Sequence, residues 1–178
     1  MKKVFLLVTC GAILLACNNE KNQSETSSAA DTTAKSTVDL PYKAAYSSSW
    51  SNDVSDADLK TVLMLYKDWA DNNMTGLASA MADTVEIDMA SGDHMKKSNA
   101  DLMKMWTTNR DSLSSVKIDM AGWNKMYSTD KKDAFIVTWY DETDTYKNGK
   151  VDSASYHDIN QMKNGKISWY AQYKRPKK

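Results

Sequence analysis

The groups in this chain that could do acid–base or nucleophilic chemistry are few. The 178 residues hold two histidines, His94 and His157, and two cysteines, Cys10 and Cys17. Acid–base catalysis needs a carboxylate or an imidazole that is withdrawn from water, tuned in pKa and within reach of a substrate proton. Asp88 is the first candidate and His157 the second. Asp88 closes the alternating run Val85-Glu86-Ile87-Asp88-Met89, in which Glu86 and Asp88 share one strand face and the apolar residues share the other. If the apolar set faces the core, both acids are solvated. His157 is followed by Asp158, but neighbours on a strand point to opposite faces, so the two are no local dyad. His157 instead shares a face with Ser155, Ile159 and Gln161. His94 falls in a polar turn and reads as solvated.

Other chemistries find no support. Two distant histidines give no spacing that would hold zinc or iron, so no metal is expected. Asp141, Glu142 and Asp144 lack the spaced loop and glycine of a calcium site and read as a solvated rim. No glycine-rich phosphate loop and no nucleophile elbow occurs, and nothing calls for a cofactor. Lys+Arg and Asp+Glu balance at 23 each, which removes the basic field that nucleic-acid binding needs. The aromatic load is more informative: six Trp and nine Tyr. Buried Trp and Tyr need partners for their polar groups, so a core rich in them suits a pocket for a planar or amphipathic ligand, or an interface. Trp106, Trp139, Tyr156 and Trp169 are the residues expected at such a cavity.

The elements that would position these groups follow from periodicity. Ser55, with Asp58 three residues on, opens a helix whose stripe is Leu59, Val62, Leu63, Tyr66, Trp69 and Ala70. A short helix is expected over 77–81, a strand over 84–89 and a returning strand over 94–97. Ser98 caps a third helix over 99–110. A β-meander then runs from Val116 to Tyr173, with Asn148-Gly149 and Asn164-Gly165 as turn signals. Helices first and a long antiparallel meander after them is an α+β order.

The first residues give an address. Lys2 and Lys3 precede an apolar run from Val4 to Leu15, shorter than the roughly 20 residues that span a bilayer. The run closes on Leu14-Leu15-Ala16-Cys17, which resembles the lipobox of bacterial lipoproteins. That resemblance implies cleavage before Cys17, a lipid thioether on its sulfur and a mature chain without a free thiol. The organisation expected is a signal peptide over 1–16, a polar tether over 17–46 and a folded domain over 47–178. Asn18 stands where an inner-membrane retention signal usually places Asp, so the expected location is the cell envelope, lipid-anchored at the outer membrane.

The order helix, short helix, strand, hairpin, helix and long strands resembles the NTF2-like, SnoaL-like superfamily. The likeness is carried by Ala82-Asp83-Thr84-Val85-Glu86-Ile87-Asp88 with the Ser98 helix after it, and by Asn164-Gly165-Lys166-Ile167-Ser168-Trp169-Tyr170. It covers about Asp56 to Tyr173, with Ser98 standing where that family usually has Gly. It implies a cone, formed by a curved antiparallel sheet against about three helices, with a pocket inside. Isomerase-like members place their general base near Asp88, and sheets of this kind often pair face to face into homodimers. The superfamily holds both enzymes and binding modules, so fold alone does not choose a function. The reading favoured here is a membrane-anchored binding or docking module for a small apolar or aromatic ligand. The alternative is an isomerase, dehydratase or cyclase-like enzyme, which requires Asp88 and His157 to meet in one cavity. A purely structural dimerisation module is the third reading.

Overall fold

The computed structural model describes residues 38–177. Cys17 and the stretch 1–16 expected to be a signal peptide lie outside the described residues. Within the unit Pro41–Lys178 the elements run β1 (Trp50–Ser51), α1 (Asp56–Ala70), α2 (Met74–Ala80), β2 (Met81–Asp88), β3 (His94–Ser98), α3 (Asn99–Asp111), β4 (Leu113–Ser128), β5 (Asp133–Tyr146), β6 (Val151–Lys163) and β7 (Lys166–Pro176).

The helices start where side chains satisfy their free N–H groups. Ser55 Oγ accepts from the Asp58 amide at 3.0 Å, and Ser98 Oγ from the Asp101 amide at 3.2 Å. The second helix begins earlier than its apolar pattern indicates, because Asn73 caps it by accepting from the Gly76 amide at 3.1 Å. Gly76 is required by close approach: a Cβ there would sit 2.2 Å from Asp68 Oδ2. Arg110 closes the far end of α1. Its guanidinium donates to the carbonyls of Trp69 and Ala70, each at 3.1 Å, and so ties α3 to α1.

Seven strands form one sheet in the order β1-β4-β5-β6-β7-β2-β3. The meander β4 to β7 is antiparallel, and β2 and β3 form the expected hairpin. The expectation of a wholly antiparallel sheet closed by the last strand is corrected on one point. β2 pairs in parallel with β7, so the sheet is mixed and β7 lies inside it. The two-residue β1, inside the stretch read as the start of the domain, adds an edge by pairing with the end of β4. The β6–β7 turn has positive φ at both Asn164 (54°) and Gly165 (73°), the backbone of a tight hairpin that matches the strand twist.

The register shifts at four places; besides those at Leu113/Ser115 and Met81/Glu86, two lie farther along the meander. One interrupts the β4–β5 register between Met120 and Gly122, the other the β6–β7 register between Gln161 and Met162. Bulges of this kind increase local twist and bend a sheet. The helices fill the hollow side: Val62 and Leu65 of α1, Leu77 of α2 and Leu102 of α3 are buried with Val85, Ile87, Ile136 and Ile167 of the sheet. Val85 and Ile87 therefore turn inward, and Glu86 and Asp88 fall on the outer face.

Candidate functional site

The long strands place alternate residues on the hollow side. On β5 these are Ile136, Thr138, Tyr140, Glu142 and Asp144; on β6 they are Ala154, Tyr156, Asp158, Asn160 and Met162. Toward the Ile136 end the helices cover them. Toward the other end the cover opens, leaving a cavity of about 460 Å3. Trp69, Trp106, Tyr140, Tyr156 and Tyr170 form much of its wall. Tyr140 stacks on Tyr156, their rings 5.2 Å apart and 13° from parallel, and Tyr66 packs on Tyr140 at 4.7 Å.

Asp158 lies at the closed end, 4% exposed. The Tyr66 and Tyr140 hydroxyls donate to its Oδ2 at 3.1 and 2.9 Å. The Tyr66 oxygen also lies 2.7 Å from Thr138 Oγ1 and accepts from Asn160 Nδ2 at 3.2 Å. Thus α1 and β5 each bring one hydroxyl to the carboxyl that β6 carries. Its second oxygen, Oδ1, is buried without a hydrogen-bond partner. Burial pushes the Asp158 carboxyl up to about 7, against the pull of the two tyrosines and Gln172. Burial and the neighbouring Asp158 carboxylate also push the Tyr66 and Tyr140 phenols well up, so both remain donors near neutral pH.

Glu142 and Asp144 sit two residues apart on the same face of β5 and both line the cavity. Burial and the charge of Asp144 raise the Glu142 carboxyl, and the Trp69 indole partly offsets this. Burial raises Asp144 too, and Asp144 Oδ1 has no hydrogen-bond partner. Two carboxyls on one face that act on each other titrate as a pair, and the pair keeps a proton to higher pH than an exposed carboxyl does. The reading of Glu142 and Asp144 as a solvated rim is therefore corrected. Only Asp141, on the other face, meets that description; it pairs with Lys177 at 2.6 Å.

The residues singled out from the sequence divide between the two faces. Trp106 and Tyr156 line the cavity. Trp139 and Trp169 do not. Trp139 is on the outer face, stacked on His157 at 5.1 Å, and Tyr173 packs on His157 at 5.8 Å. Trp169 donates from Nε1 to Asp88 Oδ2 at 2.8 Å, and His94 Nδ1 lies 2.7 Å from Asp88 Oδ1. Trp169 borders a second, open depression with Glu86 and Lys96. Asp88 and His157 thus do not meet in a cavity: both lie on the outer face of the sheet, and neither lines either depression. Their strand neighbours face inward instead. The register irregularity opposite Ser168 separates Trp169 from Ile167, which is turned to the core.

Asp158, Glu142, Asp144, Tyr66 and Tyr140 were not among the expected site residues. A signal existed for the acids: Glu142 and Asp144 share strand parity with Ile136 and Tyr140 on β5, and Asp158 shares it with Ala154 and Met162 on β6. Among the described residues no three His, Cys, Asp or Glu side chains converge to hold a metal ion. Nor is any described helix long and apolar enough to cross a membrane.

No protein-family model matches the sequence, and no curated protein matches it. Solved structures do match the fold. An epoxide hydrolase from Mycobacterium tuberculosis aligns with a TM-score of 0.57 at 7% identity, over 68% of this chain and 84% of its own. AusH from Aspergillus nidulans aligns at 0.55 and 13% identity, over 68% and 86%. An NTF2-like protein of unknown function from Exiguobacterium aligns at 0.55 and 16% identity, over 65% and 98%. The fold is the NTF2-like α+β cone. At these identities the likeness is one of fold, and the site must speak for its own chemistry.

Proposed function

We propose that this protein is a lipid-anchored protein of the bacterial envelope whose cone binds a small molecule with an apolar or aromatic body and a polar end. The anchor rests on the Leu14-Leu15-Ala16-Cys17 motif and the polar tether behind it. One observation carries the binding reading: an accessible cavity of about 460 Å3 with aromatic walls and carboxyls at its polar positions. That volume falls in the range of small-molecule sites, and a wall of rigid rings binds with little loss of side-chain entropy. The mature full-length chain is the material to test. Indole and naphthalene-type probes should raise its melting temperature and change its tryptophan fluorescence, and Tyr156→Ala should abolish both effects. Probes that bind equally well to Tyr156→Ala would remove the cavity as the site. For the anchor, Cys17→Ser should stop incorporation of labelled fatty acid and release the protein from the membrane fraction; unchanged labelling would exclude it.

A second reading is favoured by a specific feature, Asp158. A buried carboxyl with one oxygen clamped by two phenols, the other unpartnered and a proton affinity near neutrality is equipped to donate or accept a proton from a bound molecule. In an acid–base isomerase or dehydratase built this way, Asp158 takes the part first expected of Asp88 and His157. Turnover of a carbonyl substrate lost in Asp158→Asn, with probe binding kept, would establish it. Probe binding without turnover of any such substrate leaves the binding module.

A further inference from the structure

We infer that the cavity selects a cation, an amine or quaternary ammonium group seated beside Glu142 and Asp144 among the aromatic rings that wall the cavity. This rests on the binding reading above and narrows it to a class of ligand. The lining contains three carboxyls, Glu142, Asp144 and Asp158, and no lysine, arginine or histidine. An anionic ligand would meet like charge and no cationic donor. The two buried polar atoms of the cavity left without partners, Asp144 Oδ1 and Asp158 Oδ1, are both carboxyl oxygens. What the site lacks is a donor or a positive charge. The walls suit the same partner, because tyrosine and tryptophan faces attract cations, most strongly out of water.

The cations near the cavity are already engaged. Arg110 gives its guanidinium N–H groups to the backbone carbonyls of Trp69, Ala70 and Leu113. Its charge helps Asp144 but brings no N–H to it. Lys174 lies 3.4 Å from Asp152 and over the Tyr156 ring at 5.6 Å. The groups that act on the acid pair are therefore Arg110 and Lys174 on the positive side, and Asp152 and Asp158 on the negative side. Without a ligand, the half-buried pair is poised to retain a proton as its counter-charge. A bound cation displaces that proton, so binding should release protons and tighten as pH rises through the range in which the pair titrates.

Choline and its carbon isostere 3,3-dimethylbutan-1-ol have nearly the same shape and differ in charge. Titration calorimetry on the mature full-length protein should show choline binding at least tenfold tighter than the alcohol. The enthalpy should vary with the buffer's own protonation enthalpy in the sense of proton release. Glu142→Gln/Asp144→Asn should weaken choline by tenfold or more and leave the alcohol within twofold. Neutralising a half-buried acid pair should not unfold the chain, and Glu142→Gln alone, expected to act in the same direction, guards against that outcome. Equal or tighter binding of the alcohol, or choline binding indifferent to both variants, would overturn the inference while the cavity reading stands. If the alcohol, choline and the aromatic probes all fail to bind, both readings fall.

Discussion

Residues 157 and 158 are adjacent and belong to different surfaces. Asp158 points into the hollow of the sheet, is closed off from water and has a carboxyl raised to about 7. His157 points outward, between the rings of Trp139 and Tyr173. The contrast extends across the sheet. The inner acids Glu142, Asp144 and Asp158 are pushed up, with burial as the first cause in each case. The outer acids Glu86, Asp88 and Asp141 are held down, each mainly by hydrogen bonds: from Lys96, from His94 and Trp169, and from Lys177 and Ser155. One sheet thus gives the same functional group opposite proton affinities according to strand parity. Groups whose affinities are set by enclosure can respond to a ligand that enters the enclosure. Groups paired in the open report only the pairing.

The contrast breaks most directly through stability. Ile136 faces the hollow and is fully buried; Trp139, three residues on, is 40% exposed on the outer face. Ile136→Ala should cost about 2–5 kcal/mol, because truncation leaves a cavity the packed helices cannot fill. Trp139→Ala should cost about 1 kcal/mol, mostly the lost stacking on His157. Urea unfolding of the two variants measures the difference. Equal costs would mean that the outer rings carry as much of the fold as the core does.

The pH dependence sharpens the comparison because the two faces have opposite signs. A carboxyl raised in the folded state binds its proton more tightly folded than unfolded. Its contribution is full below the unfolded value near 4 and is lost as pH rises through about 7. Stability should therefore fall between about pH 4 and 7, with the Glu142–Asp144 pair adding to the slope. Asp158→Asn keeps an acceptor for both tyrosines and removes the ionisation. That variant should be more stable than the parent at pH 8, lose that advantage by pH 5 and show a flatter profile. Asp88 is lowered, so its contribution is present above about 4 and lost on acidification. Asp88→Asn should destabilise at neutral pH, and its cost should fade as pH drops below about 4 and through the lowered folded-state value. Thermal melts across pH test both, and profiles of the same sign would refute the assignment of faces.

Much of the architecture was legible. Ser55 and Ser98 cap their helices as their spacing indicates, and the Asn-Gly pairs mark the two hairpins. What was missed is long-range. Nothing local to Met81–Asp88 says that it pairs in parallel with a strand some 80 residues later. The site was missed for a different reason. Alternation along β6 correctly separates His157 from Asp158, but alternation has two phases, and it does not say which face a helix will cover. Asp158 and Asn160 turn inward because they share a face with Ala154 and Met162, which the core buries. The tyrosines that make burial of Asp158 tolerable come from α1 and β5, so their meeting was not visible in any one segment. On β7, the register irregularity opposite Ser168 breaks the simple alternation of Ile167 with Trp169, which strand period alone could not foresee.

The smallest expected effect is also the most discriminating for function. Trp106 and Tyr156 line the cavity, whereas Trp139 and Trp169 lie outside it, although all four share the aromatic character that first marked them. Trp106→Ala should weaken a bound aromatic probe by about tenfold, the value of roughly 1.4 kcal/mol from one lost ring contact. Trp139→Ala and Trp169→Phe should leave probe affinity within twofold, since neither ring faces the ligand. Calorimetric titration of the same probe into all three variants makes the comparison, with near-UV circular dichroism showing that each is folded. If Trp139→Ala weakens binding as much as Trp106→Ala does, the probe sits on the outer aromatic row. The outer face would then be the ligand surface, and the buried acids a feature of the core alone.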